Sequence, residues 1–306
     1  MPALSIRNML AAGLCGLRRY RGLWLSLYLL QFTIAGLVSL VIARILVAEL
    51  GKSPLLDRAV DGEFTALIFV LTNNPDVWAA ALLIGSGAVC GYIVLSWYLI
   101  GGANTVLLRQ PGTGHEVTHC FGSGGAATFY AYFRLALWSL LLYLVTGAAV
   151  GVGLAIGGKD FLDALTGYEL AGRLIPPLIP GIVLFWLNVT AVDYARIELS
   201  RRAIAAEKLS SLRALLGAYR AIFSDRRPLL HVLVYAGYFA GVSVVYVALV
   251  QGLPMAGAAG ALALFVVRQM VLAVRFAGSV VCTAGQVALA GSPAAGIDAS
   301  TKPADG

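Results

Sequence analysis

Residues 209–250 read LSSLRALLGAYRAIFSDRRPLLHVLVYAGYFAGVSVVYVALV, and two periodicities stand side by side in them. Leu209, Leu212, Leu216, Tyr219 and Phe223 recur at a 3-4-3-4 spacing, the stripe of a helix that is apolar along one side. Arg213 and Arg220 fall off that stripe. After Arg226, Arg227 and Pro228 the pattern changes to an unbroken apolar run over 229–250, enough to cross a bilayer at the ~20 residues a helix needs. A basic amphipathic segment followed by a basic entry point and a span predicts an elbow: a helix in the interface plane that orients the span after it.

Outward from this stretch the same kind of span recurs at 23–48, 77–103, 134–157, 174–195 and 255–290. Composition agrees. Hydrophobic residues make up 59% of the 306 and charged ones only 12%, against about 25% charged in an average globular protein. A soluble fold of this size would lack the polar surface to cover itself, so lipid must cover it. The last run would be ~54 Å as one helix, so it must tilt, bend or emerge from the membrane. The Gly-, Pro-, Ala- and Ser-rich residues 291–306 are expected to be a disordered tail. Four arginines (Arg7, Arg18, Arg19, Arg21) precede the first span, which is too long for a signal-peptide core and is read as uncleaved.

Charge sets the orientation. The N-terminal segment, the loop with Arg109 and the loop with Arg196, Arg201, Arg202, Lys208 and Arg213 are basic, whereas the alternate loops carry Glu49, Asp57, Asp61, Glu63 and Asp76, or Asp160, Asp163 and Glu169. Both termini are therefore expected in the cytoplasm of a bacterial-type inner membrane. The net charge of +7 fits its anionic face rather than nucleic acid.

A repeat underlies the pattern. A shift of 92 residues carries Ala103 onto Ala195 and Arg134 onto Arg226, and a shift of 82 carries residues 191–195 onto 273–277. The expected fold is an all-α membrane protein of about six transmembrane helices, built as three hairpin units with cytoplasmic amphipathic elbow helices. Residues 1–290 form one polytopic membrane domain, with pseudo-repeats at about 1–103, 104–195 and 196–290.

Charge inside a span is costly and points to candidate sites. Counting from outer ends at 174 and 255, Arg268 and Asn188 lie ~20 Å deep, and Asp193 and Arg275 near ~30 Å. These four are expected to form either a structural ion network between spans four and six or an anion site, since Arg grips phosphate or carboxylate with paired hydrogen bonds. At the interface, Arg213, Arg220, Leu212, Leu216 and Tyr219 are the candidate lipid contacts. Pro176, Pro177 and Pro180 are expected in the first turn of span four, where a missing N–H is not needed.

His115-Glu116-Val117-Thr118-His119 matches H-E-x-x-H, which on a helix binds zinc through two His and leaves Glu as general base. The flanking Pro-Gly-Thr-Gly and Gly-Ser-Gly-Gly strings predict barely two turns of helix around it, and a third ligand would have to come from His231. The expectation is a metal-free interfacial loop and no cofactor. Small-xxx-small pairs at Gly87/Gly91, Gly147/Gly151, Gly153/Gly157 and Gly237/Gly241 predict close helix packing.

Arg18-Arg19-Tyr20-Arg21, Phe129-Tyr130-Ala131-Tyr132-Phe133-Arg134-Leu135 and Asp193-Tyr194-Ala195-Arg196 together resemble a broad group of uncharacterised bacterial six-span membrane proteins. That group is distantly similar to the membrane domain attached to some glycerophosphodiester phosphodiesterases. The resemblance implies elbows and hairpins and no catalytic residue. The expected function is a non-enzymatic inner-membrane scaffold, accessory subunit or lipid-interacting module. Its expected partners are membrane lipids, anionic headgroups among them, and a second membrane protein. The alternatives are a transporter or permease component with an anion or headgroup site near Arg268, and a membrane zinc metalloprotease using His115, Glu116 and His119.

Overall fold

The computed structural model describes residues 6–51, 72–112, 114–157, 167–252 and 257–290; the expected tail at 291–306 and most of the acidic loops lie outside them. Regular structure among the described residues is α-helical. The helices in order are α1 (Ile6–Arg19), α2 (Arg21–Leu50), α3 (Pro75–Arg109), α4 (Gly114–Gly157), α5 (Gly167–Ile204), α6 (Ser211–Ser224), α7 (Arg227–Gln251) and α8 (Gly257–Ala290). All but α1 and α6 are long and apolar enough to cross a membrane, which makes the chain an all-α, six-span membrane protein.

The chain divides into two compact units, Gly22–Ser96 and the remainder. In the first, α2 runs beside the opening turns of α3, with Ile42 at 4.0 Å from where a Cβ on Gly85 would stand. Leu37, Leu82 and Leu83 are exposed there, as on a surface that acyl chains cover.

The larger unit is organised around the ends of the second helix of each hairpin. Residues 101–107 of α3 are buried almost without a break, as are most of 190–200 in α5 and 280–289 in α8. Each of these ends carries an elbow. On α3 it is the N-terminal part of α4: Cβ atoms built at Gly101 and Gly124 would overlap the side chains of Thr128 and Thr105, so the backbones meet through glycine. On α5 it is α6, whose Leu215, Ala218 and Ile222 join a core with Ala191, Ala195 and Leu199. On α8 it is α1: a Cβ on Gly13 would lie 2.4 Å from the Val281 carbonyl oxygen, and one on Gly16 would lie 3.0 Å from Ala284 Cβ. The end of α1 also closes the end of α3, where Arg19 Nη2 donates to the Gln110 carbonyl (3.2 Å) and the Tyr20 hydroxyl to that of Pro111 (3.3 Å). Both α3 and α5 stop on a non-glycine residue in the left-handed region, Gln110 at φ 50° and Ala206 at φ 55°.

Several expectations change. The elbow before span three is no separate segment: it is continuous with the span in the 44-residue α4. The H-E-x-x-H string therefore sits in the opening turns of a long helix, not in a two-turn island, because the glycines after it serve close packing and do not end the helix. α5 begins at Gly167, so Pro176, Pro177 and Pro180 lie in its interior instead of its first turn; membrane helices tolerate this because neighbouring groups re-satisfy the freed carbonyls. The pairs Gly87/Gly91, Gly147/Gly151 and Gly237/Gly241 meet nothing within 4 Å, whereas Gly13, Gly101, Gly102, Gly124, Gly125, Gly181, Gly278 and Gly285 make tight contacts. The final run forms one continuous helix of 34 residues.

Candidate functional site

Polar side chains gather where the elbows meet the ends of the second spans. Tyr132, fully buried on α4, is the hub. Its hydroxyl accepts from Asn104 Nδ2 (3.0 Å), reaches the Arg196 carbonyl (2.9 Å) and lies 2.8 Å from Ser200 Oγ. One phenol thus ties α3, α4 and α5 together. Ser211, first residue of α6, donates to the Ala131 carbonyl (2.8 Å) and adds the third elbow to the same junction.

Asn188 is the second junction. Its Nδ2 donates to Thr146 Oγ1 (2.8 Å) and to the Leu142 carbonyl (3.3 Å), and its Oδ1 accepts from the Tyr219 hydroxyl of α6. Burial pushes the Tyr219 phenol above its ordinary range, so it serves as a neutral donor. Asn188 lies 21 residues into α5, ~32 Å from the helix start and within reach of an elbow.

The four residues expected to form one network are distributed over four places, Asn188 in the junction just described. Asp193 pairs with Arg196 on its own helix (3.1 Å). Arg275 Nη2 donates to Ser243 Oγ on α7 (2.6 Å). Arg268 is exposed on α8 and joins neither Asn188 nor Asp193. The metal candidates separate as well. His115 and His119 are exposed, and Glu116 Oε2 accepts from the Gly112 N–H (2.9 Å), a bond that holds the helix start. His231 is fully buried on α7, with Nε2 donating to the Cys282 carbonyl (3.1 Å). No group of three or more His, Cys, Asp or Glu is placed to hold a metal among the described residues.

The face that α6 presents differs from what the leucine spacing suggests. Ser211, Ala214, Leu215, Ala218 and Ile222 pack inward. Leu212, Leu216 and Phe223, of the expected stripe, point out at 41%, 59% and 73% exposure, while Leu209 and Tyr219 lean on the core. Arg213 and Arg220 are exposed on the third face. Behind α6 lies a cavity of ≈ 70 Å³ that sequence reasoning missed, because the residues around it come from four separate helices and the turn between α6 and α7.

Comparison with family models, with curated proteins and with solved structures returns no match.

The hub generates a test. Tyr132→Phe leaves Asn104 with neither its donor nor its Oδ1 bonded, since Oδ1 already lacks a partner. An unsatisfied buried amide costs about 1–3 kcal/mol, and removing both partners together is close to neutral. Tyr132→Phe is expected to lower the thermal unfolding midpoint in detergent, and Tyr132→Phe with Asn104→Leu to recover most of the loss. A neutral single variant would contradict the role of the hub.

Proposed function

We propose that this chain is a non-enzymatic, multi-pass protein of the bacterial inner membrane, a lipid-interacting scaffold or accessory subunit whose elbow layer lies at the cytoplasmic face. Orientation rests on charge: the arginines gather at the elbow end, and cytoplasmic loops carry such an excess. The observation that carries the lipid reading is the outward face of α6. A helix packed on one side by Leu215 and Ile222 still exposes Leu212, Leu216 and Phe223 on another, with Arg213 and Arg220 alongside. In water such a stripe is unfavourable. At the boundary of headgroups and acyl chains the leucines insert, and each arginine gains about 1 kcal/mol near an anionic surface. α1 repeats the arrangement, with Met9 and Gly13 inward, Leu14 outward at 48% exposure, and Arg7 and Arg18 exposed.

Spin labels test this directly. In a background lacking native cysteines, labels at Leu216→Cys and Ser224→Cys are compared in phosphatidylcholine vesicles with and without phosphatidylglycerol. The label at 216 is expected in the acyl boundary, accessible to oxygen and shielded from a water-soluble nickel chelate, and the label at 224 in water. Equal nickel accessibility at both positions would refute the insertion.

A second reading, a permease component, is favoured by α8. Arg268, Arg275 and Ser279 are exposed and Thr283 half-buried along one side of this spanning helix. Arg268 lies 11 residues from the helix start, ~16 Å in. An unpaired arginine at such a depth costs at least ~2.5–3.5 kcal/mol, so water or protein must stand against the stripe. Under this reading the stripe lines a hydrated path with an anion at Arg268. Ser279→Cys would then react with a membrane-impermeant thiol reagent from the elbow side. Reaction only with a lipophilic maleimide would remove the permease reading.

A further inference from the structure

The cavity behind α6 has a chemistry of its own. It is bounded by Tyr194, Glu198 and Arg202 of α5, Arg213 of α6, Asp225 of the turn into α7, and Leu289 of α8. Its ≈ 70 Å³ exceeds the 10–15 Å³ that one water needs several times over, which leaves room for a group of about five heavy atoms. Hydrogen-bonding capacity around it is left unused. Tyr194 is 8% exposed, and its hydroxyl is buried without a partner among the described residues. Arg213 forms no ion pair there, and Arg227, adjoining Pro228 of the lining, keeps Nη1 buried and unbonded. The acceptors, by contrast, are occupied: Glu198 takes Arg201 (2.9 Å) and Arg202 (2.8 Å), and Asp225 faces Arg227 (3.6 Å). Of the lining residues themselves, Arg202 and Arg213 stand beside Glu198 and Asp225, and with both carboxylates already paired Arg213 is the lining cation that forms no ion pair among the described residues. A buried donor left without an acceptor is costly, and a compact anion with several oxygens satisfies such a set.

We propose that this cavity binds the phosphate of an anionic glycerophospholipid, with the acyl chains running out over Leu212 and Leu216. Tyr194 and Arg213 donate to the phosphate oxygens. The exposed leucines stand on the same short helix as Arg213, which is where a headgroup seated in the cavity would send its chains. Gly217 lines the cavity at its exposed edge, and a Cβ built on it meets nothing within 4 Å, so a larger side chain fits there without displacing a neighbour. The assignment rests on the lipid reading above and names the group that α6 holds.

The full chain, purified and stripped of lipid, is placed in nanodiscs of phosphatidylcholine with graded phosphatidylglycerol, and retained lipid is counted by native mass spectrometry. Wild type is expected to keep one phosphatidylglycerol per chain. Gly217→Leu, which fills open space and suits a helix better than glycine, is expected to keep none at an unchanged unfolding midpoint. Tyr194→Phe and Arg213→Gln are each expected to weaken retention about tenfold, the scale of a lost charge-assisted or buried hydrogen bond. Retention in Gly217→Leu equal to wild type would overturn the proposal, as would displacement of the lipid by millimolar inorganic phosphate, which would make the site one for free anions. The label at position 216 separates the two readings. If it inserts in wild type while Gly217→Leu retains lipid, the cavity assignment alone fails. If it does not insert in wild type, the lipid reading fails.

Discussion

The second helix of each hairpin is longer than a membrane is thick. α3, α5 and α8 contain 35, 38 and 34 residues, ~51–57 Å at 1.5 Å each, against ~30 Å of hydrocarbon. What passes the bilayer on the elbow side is neither polar enough to stand in water nor exposed to it. Residues 101–107, Ala191–Leu199 and Val280–Leu289 supply much of the buried apolar surface of the larger unit. The elbows exist to cover these ends. Because apolar attraction between helices is weak inside lipid, the well-packed part of the molecule is this layer and not the spans. The exposed leucines and valines along α2, α4 and α7 are consistent with that.

The order of covering follows from connectivity. The second elbow lies on the end of the first hairpin and the third elbow on the end of the second. The first elbow, at the N-terminus, lies on the end of the third hairpin, α8. The circuit closes, and the closure brings residues near position 10 against residues near 280. A layer of this kind holds its polar groups to strict positions. Tyr132 joins three helices through one oxygen, and Asn188 joins α4, α5 and α6 through one amide.

The spans were legible in the sequence because an apolar run of about 20 residues has few other uses, and the basic loops marked the elbow end. The faces were less legible. On α6 two apolar stripes lie side by side, and spacing alone selects the bulkier one, Leu212-Leu216-Phe223. The packed one, Ala214-Leu215-Ala218-Ile222, is partly alanine and so carries a weaker signal. Glycine pairs in the spans looked like packing motifs, yet close approaches occur at other glycines, among them Gly13, Gly101, Gly124 and Gly181, which the four-residue spacing does not mark. The bonds of Asn188 to Thr146 and Tyr219 were not legible either, because they join residues 42 and 31 positions away. Nothing in a linear reading brings Tyr194, Arg213 and Leu289 to one cavity.

Closure of the elbow circuit is the claim on which the rest stands, and a disulfide tests it most directly. Gly16→Cys and Ala284→Cys, in a chain with its native cysteines replaced, are oxidised with copper phenanthroline in intact membranes. A Cβ at position 16 lies 3.0 Å from that of Ala284, close to the ~3.5–4.5 Å a disulfide spans. Rapid, near-complete intramolecular cross-linking is the predicted result, seen as a mobility shift that reductant reverses. Absence of that cross-link in folded protein, or its formation only between two chains, would contradict the account.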